Sequence, residues 1–468
     1  MKEELMSVGI DIGTTTTQLI FSRIFMESTG RYGFIPVTRI TDKVVVHRSG
    51  IFFTPLVSPT RIDVPSLMEI ISSEYDRSGI RRKDINTGAV IITGETARKE
   101  NAAEVLHSLA GYAGDFVVST AGPDLESILA GWGAGAGEMS RKETGSIINF
   151  DVGGGTTNAA VFFNGEVMDS FALDIGGRLV RFDEKGNVTY ISEKIIHIIK
   201  KLGLDIKTGQ KARFSDINAL AGRLADMFLE LISAKDLKED TKKLFIGHEN
   251  KKLRCDNIMF SGGVAEYIYG NEVVDTIEKA TRFKDFGPLL GYCIRKAVNS
   301  KVLLKEPGEK IRATVIGAGN YSMSVSGNTV AFDEELLPLK NIPVLKLFGN
   351  REEEETAKIS DILAEKLKLY SGDAAAIAFR GPKCPGYRDI KDIALQIVEG
   401  TRDYDEPLVI IVENDFAKAL GQTIRGITGG KKPLICLDRI RAGETNCIDI
   451  GKPVAGVIPV VLKTLIFN

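Results

Sequence analysis

Two stretches of this chain are one device written twice. VGIDIGTTTT ends at Thr17, and INFDVGGGTTN spans Ile148 to Asn158. In each, an apolar run ends in an aspartate, and a turn rich in Gly and Thr follows at once. The copies read Asp11-x-Gly13-Thr14-Thr15-Thr16 and Asp151-x-Gly153-Gly154-Gly155-Thr156-Thr157. An apolar run that reverses through such a turn is a strand entering a hairpin. Its repetition predicts an α/β chain built of two similar halves. Glycines there let backbone N–H groups approach phosphate oxygens, and threonine hydroxyls add donors. One copy alone reads more simply as a plain β-turn. Two copies at matching positions point to a nucleotide whose phosphate chain is held from both sides. Asp11 and Asp151 would then hold a hydrated Mg²⁺, which prefers one or two carboxylates plus water and phosphate oxygens.

The length of 468 residues leaves room for about two to four domains. Lys plus Arg (60) nearly balances Asp plus Glu (62), which argues against nucleic acid or an anionic membrane as the main partner. A local basic group, Lys238, Lys242, Lys243, Lys251, Lys252 and Arg254, reads as a solvated surface loop. The cysteines at 255, 293, 384, 436 and 447 show no Cys-x-x-Cys spacing and fit reduced thiols. Histidines 47, 107, 197 and 248 lack paired ligand spacing, so zinc is not expected. No apolar run reaches the ~18 residues of a membrane span. The charged start MKEEL passes straight into a strand, without space for a signal peptide. The expected compartment is the cytoplasm.

Hydrophobic periodicity places strands at Leu5–Ile12, Gln18–Ile24, Ala89–Thr93 and Phe116–Thr120, and helical spacing at Val64–Asp76 and Gly94–Ala110. Leu125–Gly137 is helical but crowded with Ala130, Gly131, Gly133, Ala134 and Gly135. Glycine costs a helix interior about 1 kcal/mol relative to Ala, so close approach of a second helix, as at a hinge, is one explanation. The pattern restarts at Ser146. Ile217, Leu220, Ala221, Leu224, Met227, Phe228 and Leu231 keep one face of a long helix. Beyond about residue 300, Ala374–Phe379, Pro407–Val412 and Pro433–Leu437 alternate with helices, the first opening at Glu352–Glu355. The expected division is 1–145, 146–300 and a C-terminal α/β module at 301–468.

A third piece, the strand before Ser261-Gly262-Gly263-Val264, suits a nucleoside lying flat against backbone, although an ordinary strand–helix loop has the same form. Asp11–Thr17, Asp151–Asn158 and Ser261–Val264 together resemble the first phosphate, second phosphate and adenosine motifs of the actin, sugar-kinase and heat-shock chaperone ATPase superfamily. Glu126–Gly137 resembles that superfamily's first connecting helix, and Gly287–Gly291 with the helix after it resembles the second. Asp174-Ile-Gly176-Gly177 resembles the Gly-Gly turn of its chaperone branch. This resemblance covers roughly residues 1 to 300. It implies an actin-like ATPase fold of two duplicated ribonuclease H-like halves with an added C-terminal module. Finer wording, DIGTTTTQLIFSR, DIGGRLVRFD, VIGAGNYSMSVSGNTV and DIGKPV…VIPVVLKTLIF, resembles the ethanolamine ammonia-lyase reactivating factor family over nearly the whole chain.

That resemblance implies a chaperone that uses ATP, yields ADP and needs Mg²⁺. Its partner would be the adenosylcobalamin-dependent ethanolamine ammonia-lyase, from which it releases damaged cobalamin. Asp11, Asp151 and Glu126 would be catalytic, with Glu126 either orienting water or capping its helix. Gly13, Thr14, Thr15, Thr16, Gly153, Gly154, Gly155, Thr156, Thr157, Gly176, Gly177, Ser261, Gly262 and Gly263 would hold the nucleotide. No arginine finger or strong base stands beside the motifs, which predicts slow turnover. Whether the chain is a homo-oligomer, and whether it associates with the ethanolamine microcompartment, stays open. Two alternatives share the fold: a small-molecule kinase with Asp174 as its catalytic aspartate, and a filament-forming actin relative. Gly317-x-Gly319 after an expected strand at Ala313–Ile316 hints at a dinucleotide fingerprint, but Ser322 replaces its third glycine. Gly426–Lys432 misses the phosphate-loop spacing and reads as a surface turn.

Overall fold

The computed structural model describes residues 2–13, 16–29, 37–58, 61–92, 100–109, 123–233, 235–298, 302–321, 323–325, 330–348, 359–367, 374–442, 446–453 and 458–464. The expected strand at Phe116–Thr120 and the helix start at Glu352–Glu355 lie outside these residues.

The first sheet has the order Val37–Arg48, Thr16–Thr29, Lys2–Ile12, Thr87–Ile92, with Phe52–Phe53 paired to the start of the second strand. Lys2–Ile12 is antiparallel to Thr16–Thr29 and parallel to Thr87–Ile92. Val8, Ile10 and Ile12 are fully buried beneath helix Val64–Ser78, which contributes Leu67, Ile71 and Tyr75. The second sheet repeats the plan: Phe245–Ile246, Glu166–Leu173, Thr157–Phe163, Ile147–Val152, Asn257–Ser261, Leu303–Lys305. Again an antiparallel meander is followed by a parallel strand beside its first member. Phe150 anchors this half, with Phe228 and Phe260 at ring centroid distances of 5.0 and 5.6 Å. Helix Phe214–Leu231 buries all seven residues of its expected apolar face. Two halves with one shared strand order are the actin-like ATPase architecture.

Two helices bind the halves together. Pro123–Ala134 packs on the second sheet, and Ala313–Tyr321 packs on strands Lys2–Ile12 and Thr16–Thr29. They cross in backbone contact: a Cβ on Gly133 would strike the Ala313 carbonyl oxygen, and one on Gly317 the Leu129 carbonyl oxygen. The small-residue run therefore does mark close helix approach. Two expectations need correction. Ala313–Ile316 is helical, not a strand, because a short apolar run with β-branched residues cannot be assigned by periodicity alone. The helix Gly287–Val298 packs on helix Phe214–Leu231 inside the second half, so the second bridging helix is Ala313–Tyr321 instead. That helix and strand Leu303–Lys305 both lie past residue 300 yet pack with the two halves.

The C-terminal module centres on parallel strands Leu339–Lys346, Ala376–Phe379, Leu408–Val412 and Leu434–Leu437. Helices Ile359–Lys366, Tyr387–Gly400 and Ala417–Thr428 cover one face. Strands Asn446–Ile450 and Pro459–Thr464 extend the sheet beyond Leu339–Lys346. Gly426–Lys432 closes the last helix in a turn. Part of the basic group is locally paired: Lys238 meets Glu230, Lys242 meets Glu239 and Lys252 meets Asp236. Among the described residues, no helix is long and apolar enough to cross a membrane.

One half-buried cation makes stability depend on pH. Burial lowers the Lys43 ammonium to about 8, against a pull upward from Glu138. The folded state then sheds this proton before the unfolded chain does, so stability rises as pH climbs from about 8 toward the ordinary lysine value near 10.4. Allowing for partial solvent screening, the gain is about 1–3 kcal/mol. Denaturant unfolding at pH 7.5 and pH 10 checks it: wild type should gain on Lys43→Met by that amount, and equal pH slopes would contradict it.

Candidate nucleotide cleft

Both aspartate turns close with the same hydrogen bond. The Gly13 N–H donates to the Thr16 carbonyl at 2.9 Å, and the Gly153 N–H to the Thr156 carbonyl at 3.0 Å. Asp11 lies opposite Gln18 in its hairpin, and Asp151 opposite Asn158 in the other. Each aspartate is the last but one residue of a buried strand, and each is 8% exposed. The fold brings both turns to one cleft of about 440 Å³.

Asp11, Gly13, Thr16, Glu126, Asp151, Gly153, Gly154, Gly155, Thr156, Gly177, Gly262 and Gly263 line that cleft. Thr14 and Thr15 lie outside the described residues. Thr157, Gly176 and Ser261 stand behind the lining. The Thr157 hydroxyl donates to the Ile175 carbonyl at 2.8 Å. Gly176 packs on the Gly154 carbonyl, and the Gly177 N–H donates to the Gly153 carbonyl at 3.0 Å. The Gly-Gly turn thus fixes the second aspartate turn from below. Gly262 has a φ of +84° and sits against the Val152 backbone, which only a residue without Cβ accommodates.

Asp151 is held by hydroxyls on both oxygens. Ser261 Oγ donates to Oδ1 at 2.6 Å and Thr314 Oγ1 donates to Oδ2 at 3.2 Å. Asn149 Nδ2 in turn donates to Ser261 Oγ at 2.9 Å. Burial pushes the Asp151 carboxyl above the usual range, and the two hydroxyls pull it back. Arg178 also reaches the cleft, but its Nε donates to Asp285 at 3.2 Å, so it is committed to a neighbour within its own half. Asp285 is likewise pushed up by burial, with the Gly287 N–H and Arg178 opposing. Glu126 enters the cleft from the first turn of helix Pro123–Ala134. Asp174 does not line the cleft and is paired with Lys194 at 3.1 Å.

Several lining residues escape sequence reasoning. Tyr267 and Phe283 form an aromatic wall, with the Arg282 guanidinium 5.1 Å from both ring centroids. Phe53 and Ile51 line the cleft from the first half, and Thr54, the next residue, ties this segment to the first aspartate turn by donating to the Gly13 carbonyl at 2.8 Å. Nothing in local spacing marks these positions. Thr314 could have been found only by recognising its segment as a helix start.

The donor set fits a magnesium nucleotide. Two carboxylates face one cleft beside glycine turns, and neither histidine nor thiolate is among the lining residues. Among the described residues, no cluster of three or more His, Cys, Asp or Glu is placed to hold a metal ion.

A family model described as "Ethanolamine utilisation protein EutA" matches residues 3–468. The ethanolamine ammonia-lyase reactivase EutA of Salmonella typhimurium is 33% identical over 476 residues, covering 99% of each chain. The protein of that name from Escherichia coli K12 is 32% identical over 475 residues, again with 99% of each chain covered. Among solved structures, the Aquifex aeolicus member of the Ppx/GppA family is 14% identical with a TM-score of 0.41. That match covers 67% of this chain and 97% of that one.

Proposed function

Because this chain belongs to the EutA family of ethanolamine utilisation proteins, we propose that it is an ATP-dependent chaperone that reactivates ethanolamine ammonia-lyase. Its load is a lyase whose adenosylcobalamin has been damaged. One state of the clamp opens that enzyme so that damaged cobalamin leaves and intact cofactor enters. The observation that carries the nucleotide part is the pair of equivalent turns, each with its buried aspartate, facing one cleft.

ATP and its product ADP would lie between the halves, with phosphates against both turns and the nucleoside toward Gly262, Gly263 and Tyr267. Asp11 and Asp151 would hold Mg²⁺, which when bound neutralises charge developing on the transferred phosphate. The chain's own part is to fix those carboxylates, orient the phosphates and shield them from bulk water. Since each half supplies one turn, only a closed clamp makes both sets of contacts. A shift from about 1:99 to 99:1 needs roughly 5.5 kcal/mol of differential binding, which such doubled contacts can provide. Arg178 is engaged by Asp285, which agrees with slow turnover. Asp174 is occupied by Lys194 away from the cleft, leaving the kinase alternative without its nominated aspartate.

The deciding experiment mixes purified protein with cobalamin-inactivated lyase and follows deaminase activity. Recovery is expected only with ATP, Mg²⁺ and fresh adenosylcobalamin together, and recovery without ATP would refute the clamp.

The acid limb of ATP hydrolysis gives a second check. Asp151 must be ionised to take Mg²⁺, and burial raises its proton affinity. Activity should therefore fall as pH drops through a value above the ordinary aspartate value near 3.9. Ser261→Ala removes one hydroxyl that favours the ionised form, so its limb should move to still higher pH. An unmoved limb in a pH–rate profile would take Asp151 out of the metal role.

A further inference from the structure

We propose that Gly308–Thr314 is a strap that couples the two aspartate turns, with Thr314 as its positioning residue. This rests on the clamp function above and adds the element that senses it.

The strap leaves the second half and runs to the second bridging helix, meeting both halves on the way. On the first-half side, Gln18 Nε2 donates to the Ile311 carbonyl at 3.3 Å. Gln18 is the residue paired opposite Asp11, so this bond reaches the first aspartate's own hairpin. Arg312 adds a bond to the Ser49 carbonyl at 3.0 Å. On the second-half side, Thr314 donates to Asp151 at 3.2 Å, and the Gly262 N–H donates to the Lys310 carbonyl at 2.9 Å. At its start, the Gly308 N–H donates to the Ala134 carbonyl, at the end of the first bridging helix, at 3.0 Å.

Ile311 and Thr314 are three residues apart, and both line the cleft. Opposite hairpins are therefore tied to points within about one turn of backbone. So short a segment has no slack, since even fully extended chain spans only about 3.3–3.6 Å per residue. When the halves rotate, the Gln18 and Thr314 bonds cannot both keep their lengths unless the strap moves with them. The bond to Asp151 is the stronger of the two, because its acceptor is a carboxylate. Thr314 thus holds the strap to the second turn while Gln18 registers the position of the first. The strap continues into helix Ala313–Tyr321, whose backbone contact with Pro123–Ala134 carries any shift to the crossing of the two helices.

Thr314→Val removes the hydroxyl and keeps the shape, Thr314→Ser keeps the hydroxyl, and Gln18→Leu cuts the other end. In the full-length protein, amide hydrogen exchange of 308–314 is measured with and without a Mg²⁺-bound non-hydrolysable ATP analogue, and analogue affinity by calorimetry. Wild type and Thr314→Ser should show at least tenfold slower exchange in the strap when the analogue binds. Thr314→Val should lose that protection, and its affinity should fall about tenfold, the loss expected for one hydrogen bond to a charged group. Gln18→Leu should lose the protection as well. Full protection in both Thr314→Val and Gln18→Leu, with the analogue bound, would overturn the strap while leaving the clamp standing. Failure of Thr314→Ser to restore protection would also overturn it. No analogue binding by wild type would overturn clamp and strap together.

Discussion

Asp11→Asn and Asp151→Asn should each lower Mg²⁺-dependent ATP hydrolysis by about 10³-fold and abolish recovery of inactivated lyase. The magnitude follows from what each carboxylate is asked to do. Charge neutralisation by a bound divalent ion is worth several kcal/mol in a transition state, and each 1.36 kcal/mol is tenfold in rate. Asparagine keeps the shape and some hydrogen bonding, so folding should survive at the Asp151 site, where Ser261 and Thr314 already donate. Relief of a buried charge could even raise the melting temperature of Asp151→Asn, since burial disfavours its ionised form. A variant that is at least as stable as wild type, binds nucleotide weakly and hydrolyses it about 10³-fold more slowly is the expected combination. Steady-state phosphate release with Mg²⁺ titration measures it alongside the reactivation assay. Hydrolysis within tenfold of wild type in both variants would remove the aspartates from the chemistry.

The doubled turn was legible because its chemistry is local. Asp, Gly and Thr at fixed spacing make a hairpin turn that needs only four consecutive residues, and both copies close with the same bond. The long helix at Phe214–Leu231 was legible for the same reason, its apolar face being a regular 3.6-residue pattern. What stayed hidden is what depends on contact between distant segments. Ala-Thr-Val-Ile at 313–316 looks like a strand by composition. Its helical state is set by the partner helix, which the sequence does not show. Thr314 and Gln18 matter through bonds that span 163 and 293 residues, and no window of sequence contains them. Arg178 follows the Gly-Gly turn directly and lines the cleft, so an arginine does stand beside the motifs, contrary to expectation; its engagement by Asp285, 107 residues away, lies beyond any local window.

Gly317→Val should be the most damaging single change to stability outside the nucleotide site. A Cβ there would overlap the carbonyl carbon and oxygen of Leu129, and both are backbone atoms inside a helix. A side-chain neighbour could rotate away; a helical carbonyl can yield only if the whole helix moves. Gly133 meets the same obstacle from the other side, at Ala313. Overpacking a core typically costs 1–3 kcal/mol and more when backbone must shift, so about 3 kcal/mol or more is expected at either position. For a cooperative unit of roughly 150–250 residues that lowers the melting temperature by about 6–12 °C. Gly222→Ala, on an open face of helix Phe214–Leu231 with no neighbour within 4 Å of a new Cβ, is the control and should lose nothing. The functional consequence follows from the geometry. Spreading the crossing pushes apart the two helices that join the halves, and the turns at Asp11 and Asp151 separate with them. Gly133→Ala, the mildest version, should therefore weaken Mg²⁺-ATP binding well before the protein unfolds. Calorimetry below the melting transition measures that, and unchanged affinity in Gly133→Ala would show that the crossing sets stability without setting the clamp.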